Sequence, residues 1–158
     1  MRQESENNNS TSDSEYVQAV FEALMNFQAI EELLKDCVLA SYEILSKASP
    51  KEIRFSPTEN EVRDIRNKLG LGSLIYKFEA VTPHKELCKK LKAVTKVRNE
   101  LAHRAASNFL KFPVSYSGAE QCLAKAQEFG EAAAVANSLF YELSEVFENI
   151  MGAHGEIV

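Results

Sequence analysis

Apolar side chains recur every three or four positions from Ser14 onward: Val17, Val20, Phe21, Leu24, Phe27, Ile30, Leu34, Cys37, Val38 and Leu45. This is the period of one helix face. No Gly or Pro interrupts it before Pro50, so the spacing predicts one helix of about 33 residues, roughly 50 Å long. Pro50 and Pro57 break the pattern. Thr58 and Glu61 then form a capping box that starts a short helix to about Leu69. Gly70-Leu71-Gly72 turns the chain into a second short, apolar helix over Ser73 to Ala80. Thr82 as N-cap and Pro83 at the first helical position predict a long helix to about Ser107. Its apolar face is Leu87, Leu91, Val94, Val97, Leu101 and Ala105. Asn108 to Gly118 reads as a loop, with Phe109 and Phe112 folding back onto the bundle. From about Ala119 to Met151, Cys122, Ala126, Phe129, Ala133, Ala136, Phe140, Leu143, Phe147 and Ile150 follow a 4-3-4-3 spacing. That spacing is the packing period of bundles and coiled coils. Gly152 and Gly155 are expected to end this helix. No segment alternates as a strand would. The fold class expected is all-α: an antiparallel up-down helical bundle of three long and one or two short helices. The domain spans 14–151. A disordered, Asn/Ser/Glu-rich tail over 1–13 precedes it, and a short tail over 152–158 follows.

Composition narrows the class of function. The chain has 158 residues, 45% of them hydrophobic, enough for one core. Its 18 basic and 23 acidic side chains give a net charge of −5, which argues against coating nucleic acid over the whole surface. The three cysteines, Cys37, Cys88 and Cys122, show no metal-ligand spacing and read as buried, reduced thiols, which points to a cytoplasmic location. No targeting segment and no membrane span is expected.

Charge along the chain is uneven. Residues 85–104 hold Lys85, Lys89, Lys90, Lys92, Lys96, Arg98 and Arg104 against Glu86 and Glu100, a net +5, leaving −10 for the remainder. The same helix carries Arg98-Asn99-Glu100-Leu101-Ala102-His103-Arg104. With Arg98 placed at 0° and about 100° per residue, Leu101 falls near 300°, Asn99 near 100° and His103 near 140°. Arg98 therefore lies at the edge of the apolar face, while Asn99 and His103 lie on the polar edge with Ala102 between. A guanidinium, a carboxamide and an imidazole at this spacing can bind a phosphodiester and move a proton. Arg and His alone would meet at such a spacing about 0.4 times by chance, and Asn directly after Arg lowers this to roughly 0.02. Arg66-Asn67 repeats the first half of the pattern without a His.

On these residues the sequence resembles the HEPN superfamily, small α-helical bundle proteins that include many RNA-cleaving toxins and defence nucleases. The resemblance rests on Arg98, Asn99 and His103, in the phrase RNELAH. It extends architecturally to the long first helix and the Gly-Leu-Gly-Ser-Leu-Ile segment. It implies Arg98, Asn99 and His103 as catalytic residues. The basic charge concentrated on the same helix makes Lys92, Lys96 and Arg104 the expected RNA contacts. The resemblance also implies a homodimer that brings two motifs together, and an antitoxin or other protein partner. Some toxins of the superfamily carry a Tyr two residues after the His. Ala105 stands there in this chain, which argues against regulation by modification of that Tyr.

The reaction expected is metal-independent endoribonucleolytic cleavage, with no cofactor and no metal site. The ribose 2′-OH attacks the adjacent phosphorus and leaves a 2′,3′-cyclic phosphate. His103, with an ordinary imidazole pKa of about 6.5, transfers the proton. Arg98 stabilises the phosphoryl oxygens and Asn99 orients the phosphate or the His. The alternative is a non-catalytic, dimeric regulatory or binding module for RNA, a nucleotide or a protein, as in superfamily members resembling the mannitol operon repressor.

Overall fold

A computed structural model describes the backbone of residues 2–49, 56–111 and 116–157, and the side chains of 14–49, 56–103, 120–153 and 155. Five helices occur among them: α1 (Arg2–Ala48), α2 (Glu59–Asn67), α3 (Leu71–Val81), α4 (Lys85–Lys111) and α5 (Tyr116–Ile157). The fold is all-α, with three long and two short helices.

Local chemistry explains the boundaries. The Thr58 hydroxyl accepts from the Glu61 N–H at 3.2 Å, and the Glu61 carboxylate accepts from the Thr58 N–H at 2.9 Å, completing the capping box. Thr82 does not cap α4 as the sequence predicts. It ends α3 in an extended conformation (φ −107°, ψ 145°), the region favoured by a residue that precedes proline. Its hydroxyl accepts from the His84 N–H, and the His84 carbonyl takes the first turn of α4. Of the loop expected over 108–118, residues 108–111 and 116–118 are helical instead, as α4 runs to Lys111 and α5 starts at Tyr116. Neither Gly nor Pro occurs in α4 to stop it. Gly152 and Gly155 do not terminate α5 either. A helical Gly weakens a helix by about 1 kcal/mol relative to Ala without breaking it, and no described Gly takes the positive φ of a helix-ending cap. The backbone of α1 begins at Arg2, ahead of the apolar period that predicts it. The side chains of 1–13, and those of Arg104, Ala105, Phe109 and Phe112, lie outside the described residues.

The chain divides into two compact units, Met1–Phe27 with Lys96–Asn137, and Gln28–Thr95 with Ser138–Val158. In the second, Ile30, Leu34, Cys37 and Val38 of α1 share a core with Ile65 of α2, with Leu74 and Phe78 of α3, with Leu87 and Leu91 of α4, and with Leu143 of α5. There α4 and α5 run antiparallel, with Lys90 paired to Glu142 at 2.9 Å and Pro83 and His84 beside Asn149.

The first unit shows a different helix face from the expected one. Tyr16, Ala19, Ala23 and Phe27 are buried, whereas Val17 (54% exposed), Phe21 (63%) and Leu24 (38%) face outward with Met25. Here α1 is apolar on two faces, and the inward face is the one with alanines, which let α5 approach closely. Tyr16 meets Phe129 with ring centroids 5.9 Å apart, and the Asn26 amide donates to the Ala133 carbonyl at 3.0 Å. On α5 the expected positions are buried from Cys122 to Ala136 and again at Leu143, but Leu139 and Val146 are buried in place of Phe140 and Phe147. All three cysteines are buried and unpaired with one another.

Candidate functional site

The motif lies in the part of α4 that belongs to the first unit. Leu101 is the inward anchor, 2% exposed, and it fixes the rotation of the helix. With Leu101 inward, Lys96, Asn99, Glu100 and His103 share the outer face, one turn apart, and line an open groove of about 330 Å³. Two of the three residues expected to be catalytic, Asn99 and His103, thus meet in one cavity together with Lys96. Arg98 is half-buried, as its place at the core edge predicts. It is not among the lining residues. Its guanidinium reaches the groove's edge by donating to the Asn99 side-chain oxygen at 3.3 Å.

The basic stripe of α4 is largely engaged. Lys89 pairs with Glu86 at 2.6 Å, Lys90 with Glu142 at 2.9 Å and Lys92 with Glu79 at 2.6 Å. Lys85 donates to the Glu79 carbonyl. The Lys92 ammonium, hydrogen-bonded to Glu79, holds that carboxyl below its ordinary range. Lys92, an expected RNA contact, is therefore committed to Glu79 and does not line the groove. The Arg104 side chain lies outside the described residues. Among the described residues no hydrogen bond or ion pair engages Lys96 or His103, so both are presented to solvent at the groove.

Glu100 is the lining residue to which the sequence assigned no role. Its carboxylate pairs with Lys125 of α5 at 3.1 Å, and Lys125 also binds Glu128 at 2.6 Å. The Lys125 ammonium sits 5.6 Å from the centre of the Phe129 ring. Its pKa is raised, first by the Glu128 hydrogen bond and then by Glu100. Helical spacing alone places Glu100 beside Lys96 and His103. Nothing in the sequence points to Lys125, whose role arises from packing across 25 residues of chain. Burial pushes the nearby Tyr16 hydroxyl above its ordinary value. Among the described residues no three His, Cys, Asp or Glu side chains converge as metal ligands.

The groove offers an ammonium, an amide and an imidazole to an anion, with a guanidinium at its edge. Comparison with protein-family models, curated proteins and solved structures finds no match for this chain.

Proposed function

We propose that the chain is a HEPN-like, metal-independent endoribonuclease of the toxin or defence type, acting at the α4 groove. The observation that carries this reading is the convergence of Lys96, Asn99 and His103 on one cavity, with Arg98 bonded to Asn99. Lys96 holds a phosphate oxygen, Arg98 adds charge stabilisation as the phosphorus becomes five-coordinate, and Asn99 orients the group. His103, exposed and without a described partner, takes or gives the proton. The 2′-oxygen bonds to phosphorus, the 5′-oxygen leaves with a proton, and the products are a 2′,3′-cyclic phosphate and a 5′-hydroxyl. A second protomer in a homodimer supplies the second imidazole for acid and base roles. Arg104 extends the RNA contact along α4, and an antitoxin or other protein partner controls the activity.

One observation favours a second reading. With Lys85, Lys89, Lys90 and Lys92 already held by protein oxygens, little free positive charge is left to draw in a polyanion. A non-catalytic binding module would keep the groove and cleave nothing. End-group analysis separates the two. Purified protein incubated with RNA in EDTA is expected to give fragments with 2′,3′-cyclic phosphate ends, and Arg98→Ala is expected to give none. Intact RNA under these conditions would favour the binding module.

A further inference from the structure

The groove has an internal contradiction as a phosphate site, since Glu100 lines it beside Lys96. One ammonium and one carboxylate sum to zero, and a carboxylate in the cavity repels an incoming phosphate. We propose that Lys125 is a positioning residue for a phosphodiester in this groove: it binds the Glu100 carboxylate and offsets its charge at the groove, so that Lys96 dominates the potential there.

The geometry carries this. Lys125 comes from α5, and its ammonium is held by Glu100 at 3.1 Å, by Glu128 at 2.6 Å and over the Phe129 ring at 5.6 Å. Phe129 is fully buried, so this end of the side chain is anchored on the core. The Lys125 and Glu100 side chains are 32% and 26% exposed, which screens their attraction less than that of the solvated pairs elsewhere on α4. Glu128 is more exposed, at 45%, and does not line the groove. The inference rests on the groove being a phosphodiester site, but it does not depend on cleavage.

The test is an NMR titration with a 2′-O-methyl RNA tetranucleotide, which binds but lacks the attacking hydroxyl. Wild type is expected to show saturable shifts at Lys96, Asn99 and His103. Lys125→Met should weaken binding about tenfold, the order set by one unmasked charge several ångströms away under salt screening. Lys125→Arg should retain it. The double variant Glu100→Gln/Lys125→Met should return to within about twofold of wild type, because the charge that needed cancelling is gone. A purely structural role for Lys125 predicts no such rescue. Should Lys125→Met unfold, Lys125→Gln takes its place in the same comparison, and a double variant Glu100→Gln/Lys125→Gln as weak as Lys125→Gln overturns the proposal. Equal affinity of Lys125→Met and wild type, or a double variant as weak as Lys125→Met, also overturns it. Absence of any shift in wild type refutes the phosphodiester reading of the groove itself and removes the inference with it.

Discussion

Phe21 and Ala23 lie two residues apart on α1, and their environments invert what their size suggests. Phe21 is 63% exposed, whereas Ala23 is fully buried. Truncating Phe21 to Ala removes a ring of which only a little over a third is out of water. Fully burying such a side chain is worth about 1.5–3 kcal/mol, so Phe21→Ala should cost about 1 kcal/mol or less. A core phenylalanine would cost about 3–5 kcal/mol. Ala23→Leu instead forces three carbons into a filled space and should cost about 1–3 kcal/mol or more. The chain has no tryptophan, so urea unfolding followed by far-UV circular dichroism is the appropriate assay. At a slope of about 1–3 kcal/mol per molar urea, the two outcomes differ by a readable midpoint shift. Loss of more than about 3 kcal/mol in Phe21→Ala, with Ala23→Leu neutral, would refute the assigned rotation of α1 and the core built on it.

Thr58→Ala should destabilise the protein by about 1 kcal/mol in the same assay, through loss of the α2 cap. Glu61, held below its ordinary carboxyl value of 4.5 first by the Thr58 backbone N–H, has a folded pKa lower than its unfolded one. Its stabilisation is therefore present above about pH 4.5 and disappears as pH falls through the folded value. Wild type should lose stability relative to Glu61→Gln between pH 6 and 3, and equal slopes would contradict the pairing. Burial pushes the Cys37 thiol up to about 12, from an ordinary 9.0. Stability from keeping it neutral is present below pH 9 and is lost as pH rises from there toward 12. At pH 9 native Cys37 should hold several hundredfold less thiolate than in urea, and alkylation read by mass spectrometry should be slower to match.

Periodicity made the long helices legible, because burying one face forces a 3.6-residue repeat whatever the partner. It also located the motif, since Leu101 alone orients Asn99 and His103. Which of two apolar faces of α1 points inward was not legible. The choice between Val17/Phe21/Leu24 and Tyr16/Ala19/Ala23 is made by how closely α5 can approach, a tertiary property. The free charge on α4 was also hidden, because Glu79 and Glu142 reach Lys92 and Lys90 from other helices. Glu100 was readable from helical spacing, but its partner Lys125 was not.

The central claim is that the α4 groove performs chemistry on RNA through His103. The most direct test is the single-turnover cleavage rate of a defined RNA oligonucleotide at pH 7 in EDTA, wild type against His103→Ala. His103 is exposed and has no described partner, so the variant should fold normally. Loss of one acid–base group should slow cleavage by about 10²–10⁴-fold. Equal rates in the two proteins would contradict the account.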